Sequence, residues 1–159
     1  MPTRSSTNIV RYKQPVSALV VIHTPKLDVL LLERAKHPGY WQSVTGSAEL
    51  GETLADTARR EVFEETGIDA SRYTLDDWKR SSVWEIFLEW RFRYAPGVTH
   101  NEEHIFSLCV PDGIPIAISP AEHRAFMWLP WRQAAEKCFS YTNRDTILEL
   151  PHRFAHSTG

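Results

Sequence analysis

Between Thr53 and Gly67 the chain spells a helix with both ends marked and three glutamates along one side. Thr53 is an N-cap residue with Asp56 three positions on, close to a capping box. Leu54, Ala58 and Val62 recur at i, i+4 and i+8 as an apolar stripe, and Gly67 stands where a left-handed residue stops a helix. The spacing predicts a helix over 54–66. At about 100° per residue, Glu61, Glu64 and Glu65 fall within one narrow arc of it. Carboxylates crowded in this way repel one another and weaken an isolated helix. A hard divalent cation, Mg²⁺ with Mn²⁺ as a substitute, neutralises them and bridges to substrate phosphates. Arg60 is placed to brace the cluster by pairing with one carboxylate. A bare E-x-x-E-E is more often a solvated, mixed-charge helix face, so the surrounding residues decide its meaning.

Around the helix the pattern alternates between strand and loop signals. Val16 to Ile22 is almost wholly apolar and rich in Val and Ile, as in a strand buried on both faces. Asp28 to Arg34 reads as its partner, with Thr24-Pro25-Lys26 in the turn between them. His37 to Gly51, with Pro38, Gly39, Gly46 and Gly51, reads as an irregular loop. Val83 to Tyr94 alternates, with Trp84, Ile86, Leu88, Trp90, Phe92 and Tyr94 on one side, and predicts a long half-buried strand. Ala95-Pro96-Gly97 turns the chain. Ile105 to Val110, Ile116 to Ile118 and Ala125 to Leu129 read as further strands, Trp131 to Cys138 and Asn143 to Leu150 as helices. The order implies an α/β (α+β) sandwich of one domain, 1–159, with Met1 to Gln14 largely a loose tail.

Composition excludes several classes. With 159 residues, 42% of them hydrophobic and 18 of them aromatic (6 Trp, 5 Tyr, 7 Phe), the chain has material for a core and does not read as disordered. Lys and Arg (18) nearly balance Asp and Glu (20), which argues against nucleic-acid binding by bulk charge. No apolar run approaches the roughly 18 residues of a membrane span, and no secretory leader is evident. Cys109 and Cys138 make neither a disulfide framework nor a metal-ligand set, so a reducing, cytoplasmic setting is expected. His100-Asn-Glu-Glu103-His104 spells H-x-x-E-H, but that zinc motif needs a helix and here it runs into an apolar strand. Ser43 and Ser140 lack nucleophile-elbow spacing.

From Gly46 to Ile68 the residues follow G-x₅-E-x₇-R-E-U-x-E-E-x-G-U, with U apolar: seven fixed residues at fixed spacing, beyond what background frequencies produce in a chain this long. This segment resembles the signature of the Nudix hydrolases without a departure. The resemblance implies an α/β/α sandwich with a mixed sheet and a loop–helix–loop metal site that hydrolyses phosphoanhydrides. By position, Glu61, Glu64 and Glu65 become metal ligands, with Glu64 and Arg60 also in the catalytic set. Glu52 resembles the supporting acid, and the Gly46 carbonyl sits where the backbone helps hold metal.

Outside the signature, the resemblance runs from about Lys13 to Ile147. Pro15-Val16-Ser17, Tyr40 to Ser47, Arg93 to Thr99 and Asn143-Arg144 resemble the family's subgroup acting on dihydroneopterin triphosphate in folate synthesis. Val44-Thr45-Gly46, where many members have Pro-Gly-Gly, points the same way. The expected products are the monophosphate and pyrophosphate. The resemblance places a fourth carboxylate at Glu122, in Pro120-Ala-Glu-His123, as metal ligand or as general base activating water for in-line attack. Arg34 and Lys13 are candidate phosphate contacts, and Thr45 and Ser140 are implied to line the substrate site. Trp84, Glu85 and Phe87 are candidates to stack on and hydrogen-bond the ring. Two alternatives stand beside this reading: a general or oxidised (d)NTP pyrophosphohydrolase, and a nucleotide-binding module that does not cleave. The intact set of carboxylates argues against the second. The oligomeric state, monomer or dimer, is not given by the sequence.

Overall fold

A computed structural model describes residues 11–158. The expected loose tail therefore lies largely outside the described residues. Its last part is tied down: the Lys13 N–H donates to the Arg93 carbonyl at 2.8 Å.

Among the described residues seven strands form one mixed sheet: β1 (Val16–His23), β2 (Asp28–Arg34), β3 (Trp41–Gln42), β4 (Val44–Ser47), β5 (Thr74–Glu85), β6 (His100–Cys109) and β7 (His123–Pro130). The helices are α1 (Leu54–Thr66), α2 (Trp131–Lys137) and α3 (Tyr141–Thr158). Strand β1 is central, parallel to β6 along its whole length and antiparallel to β4 on its other edge. Its alternation explains the layers. Ala18, Val20 and Ile22 pack with Ala58 and Val62 of α1, whereas Leu19 and Val21 pack with Ala134 and Ala135 of α2 and Ile147 and Leu150 of α3. A strand covered on both faces must be apolar at every position, as Val16 to Ile22 nearly is.

Helix α1 has the predicted bounds. Thr53 Oγ1 accepts the Asp56 N–H at 3.1 Å, and Gly67 takes φ 77° while its N–H closes on the Phe63 carbonyl.

Several expectations are corrected. The supposed irregular loop from His37 to Gly51 contains β3 and β4, short strands that pair with β2 and β1. Strand β2 meets β1 at a single pair, His23↔Val29; its main partner is β7. Residues Ile116 to Ile118 form no strand, although both isoleucines pack against the α1-side core. Helix α3 starts before Asn143 and continues through Pro151.

The largest correction concerns Val83 to Tyr94. Strand β5 begins at Thr74 and ends at Glu85, and Leu88–Arg93 forms a 3-10 helix in which Leu88 and Phe92 are exposed. The physical reason is the partner: the ladder ends at Glu85↔His100, and beyond it the other chain is already in the turn through Gly97. With no β6 partner to continue the ladder beyond the Ile86–Thr99 bond, the alternating aromatics from Leu88 onward coil instead.

Candidate active site

Helix α1 and the end of β4 bring the acidic residues together. Arg60 sits at their centre: Nε and Nη2 donate to the two oxygens of Glu52 at 2.8 and 2.9 Å, Nη2 to the Ser47 carbonyl at 2.9 Å, and Nη1 to Glu61 at 2.7 Å and Glu64 at 3.3 Å. Thr57 Oγ1 and the Glu49 N–H complete the Glu52 carboxylate. This forked pairing holds the Glu52 carboxyl down at about 2.

Glu61 and Glu65 behave oppositely. Both are buried, Glu65 with 1% exposure, and their carboxyls lie against each other. Burial pushes both above the ordinary carboxylate range, Glu65 far above, where the neighbouring Glu61 adds to the effect. Glu65 Oε1 has no hydrogen-bond partner, and His123 Nε2 lies 3.8 Å from it. Burial holds that imidazole down at about 4, so it is neutral near pH 7 and offers Glu65 no charge. Gly46 completes the cradle: a Cβ there would lie 2.0 Å from Glu61 Cδ, so any other residue would expel the carboxyl.

An orphaned carboxylate oxygen, two carboxyls in contact and a backbone stripped to glycine suit a hard divalent cation. The described side chains do not stand as a ready ligand cage: no group of three or more His, Cys, Asp or Glu is arranged for a metal among them. Arg60 engages Glu61 and Glu64 instead, and Glu64 is exposed.

Beside this cluster opens a cavity of about 470 Å³. Glu65 and Glu122 line it, as do all seven substrate-contact candidates from the sequence: Lys13, Arg34, Thr45, Trp84, Glu85, Phe87 and Ser140. Glu122 is exposed on the loop before β7, and its carbonyl accepts the Ala35 N–H at the end of β2 (2.9 Å). The Arg34 guanidinium lies over the Trp90 ring, 4.8 Å from its centroid, and donates to Gln42 at 3.2 Å. Lys13 and Arg34 are both held below their ordinary values, first by burial and also by the repulsion of Arg93. Such a set of mutually repelling cations suits a polyanion. Two candidates are already engaged within the protein. Glu85 pairs with Arg91 at 2.7 Å, and Ser140 Oγ shares a hydrogen bond with Thr142 at 2.9 Å.

Sequence reasoning missed Lys36, Trp90, Arg93, Asn101, Glu103, His123 and Phe139, all of which line the cavity. Trp90 and Arg93 were hidden by the mistaken strand, which made one a core residue and the other a solvent-facing one. Glu103 stood just before the predicted strand at Ile105, within the declined H-x-x-E-H, whereas β6 in fact begins at His100.

A sheet sandwiched by helices, a glycine-backed acidic helix and a cation-lined cavity together describe a phosphoanhydride-binding architecture. Residues 13–150 match the NUDIX domain, and the chain belongs to that family. It is 48% identical over 139 residues to the dihydroneopterin triphosphate diphosphatase of Escherichia coli strain K12, covering 86% of this chain and 91% of that one. The protein of the same name from Haemophilus influenzae is 40% identical over 144 residues, covering 87% and 89%. A solved structure of the E. coli dihydroneopterin triphosphate pyrophosphohydrolase superposes with a TM-score of 0.80 at 47% identity, over 86% of this chain and 94% of that one. No helix among the described residues is long and apolar enough to cross a membrane.

Proposed function

We propose that this protein hydrolyses dihydroneopterin triphosphate to the monophosphate and pyrophosphate, with Mg²⁺ as its metal and Mn²⁺ as a substitute. The observation that carries the reading is the buried Glu61–Glu65 pair, with an orphaned oxygen beside a cavity rich in cations. The high identity to two enzymes named for that substrate supports the choice of ring.

Glu61 and Glu65, with the Gly46 carbonyl, are the residues that would hold the cation, joined by Glu64 and Glu122. When bound, the cation neutralises phosphate charge and makes water more acidic. The chain's own residues do the rest. Arg60, fixed by Glu52 and the Ser47 carbonyl, holds Glu61 in place at 2.7 Å and limits its repulsion of Glu65. Lys13, Arg34 and Arg93 bind phosphate oxygens and stabilise the charge that builds on the leaving pyrophosphate. Glu122 takes the proton from the attacking water as the new P–O bond forms and the anhydride P–O bond breaks. Phe87, Trp90 and Phe139 offer apolar walls to the ring.

Glu65→Gln tests the assignment. Pyrophosphate release should fall about 100-fold or more, and Mn²⁺ binding followed by electron paramagnetic resonance should weaken. Normal turnover with normal Mn²⁺ affinity would show that Glu65 is not a ligand.

A further inference from the structure

Strand β6 carries Ile105 into the core beneath α3, and the next two positions on that face are Glu103 and Asn101. Both are buried, at 5% and 1% exposure, and both line the cavity. The Glu103 carboxylate accepts Thr142 Oγ1 at 3.1 Å and faces the Trp84 indole, which leaves part of its roughly four acceptor sites free, and no cation pairs with it among the described residues. A neighbouring group is also unsatisfied: Asn101 Oδ1, two positions along β6, has no hydrogen-bond partner, while Trp84, on the strand paired with β6, turns its indole N–H toward the Glu103 carboxylate. Anchoring α3 does not require an acid, because Ser140 and Thr142 already bond each other and Ser140 Oγ accepts the Asn143 N–H. A buried, unpaired carboxylate costs stability, and a ligand that satisfies it recovers that cost on binding.

Position fixes what such a ligand presents. The register Ser47↔Ser17↔Glu103 runs straight across β4, β1 and β6. Glu103 therefore stands two strands, about 10 Å, from the end of β4, whose Gly46 backs Glu61. That span suits a bicyclic ring on a short polyol chain whose phosphates lie at Glu61 and Glu65. The geometry points to Glu103 as the residue that recognises the ring: its carboxylate accepts the adjacent ring N–H and 2-amino N–H of a 2-amino-4-oxopyrimidine edge. Pterins and guanine share that edge. Adenine presents an acceptor nitrogen in place of the ring N–H, and a carboxylate repels it. Burial holds the free carboxyl up at about 7, and two ring donors would favour its ionised form. This inference rests on the proposed triphosphate hydrolysis and names its specificity determinant.

The test compares kcat/KM in Mg²⁺ for dihydroneopterin triphosphate, GTP, ITP and ATP, in the wild type and in Glu103→Gln. ITP differs from GTP by the missing 2-amino group, so the wild type should prefer GTP about 10-fold or more. Glu103→Gln replaces one acceptor with a donor. It should lose about 10- to 100-fold on dihydroneopterin triphosphate and GTP, mainly through KM, and keep its ATP activity within a factor of about 3. Equal wild-type values for GTP and ITP would overturn the assignment, and that arm needs no variant. A variant that loses ATP and GTP activity equally would also overturn it, since a purely structural role gives that pattern. If dihydroneopterin triphosphate is a poor substrate while the GTP preference and its loss in the variant persist, the substrate proposal falls and the role of Glu103 stands. If the pterin is turned over without such discrimination, the reverse holds.

Discussion

Glu103→Gln also makes a quantitative prediction about stability. The carboxyl is held at about 7 in the folded protein against an ordinary value of 4.5, chiefly by burial. Below pH 4.5 it is protonated in both folded and unfolded chains and adds no pH dependence. Between 4.5 and 7 the folded chain keeps a proton that the unfolded chain releases, so the stability of the wild type falls as pH rises. Above 7 the penalty levels off at about 3 kcal/mol, from about 1.4 kcal/mol for each unit of displacement. Glutamine keeps an acceptor for Thr142 and cannot ionise. Urea unfolding of both proteins from pH 4.5 to 8.5 should therefore give nearly equal stabilities at the acid end and a variant more stable by about 3 kcal/mol above pH 7. Other titrating groups are shared and cancel in the difference. Parallel stability curves would refute the reasoning, because they would mean that the Glu103 carboxyl ionises as easily in the fold as in water.

Gly46→Ala should place its Cβ against the Glu61 carboxyl and lower kcat about 100-fold, with circular dichroism showing an intact fold. Arg60→Ala leaves Glu52 and Glu61 without their cation and should cost about 2–4 kcal/mol in urea unfolding in the presence of EDTA. Mg²⁺ should restore part of that loss; no change on adding Mg²⁺ would argue against cation binding at Glu61. Thr53→Ala removes the α1 cap and should cost about 1 kcal/mol by chemical denaturation, with kcat unchanged at 25 °C.

What the sequence disclosed follows local physics. Helix α1 was legible to the residue because its cap, stripe and stop are local signals, and β1 because burial on both faces leaves a continuous apolar run. Strand β5 was not, since its polar run Thr74 to Ser82 has no alternation and its existence depends on pairing with β6, more than twenty residues on. The aromatic alternation of Trp84 to Tyr94 was read as a strand for want of the same non-local fact. At the site, the acidic helix residues were legible because their spacing is itself the signal. Glu103, Asn101 and Trp90 were not, because the cavity that makes them neighbours is closed by segments from both ends of the chain, Lys13 to Asn143. The cavity-lining cations were half legible: Arg34 ends a strand before the loop, whereas Arg93 became visible once the 3-10 turn was known.

The most direct measurement is a rate comparison in Mg²⁺ that follows pyrophosphate against orthophosphate, with dihydroneopterin triphosphate, the four dNTPs, 8-oxo-dGTP and a nucleotide sugar as substrates. The account predicts that dihydroneopterin triphosphate has the highest kcat/KM, that pyrophosphate is the released product, and that EDTA abolishes the reaction. Turnover led by a dNTP or by 8-oxo-dGTP, or release of orthophosphate from the pterin, would contradict it.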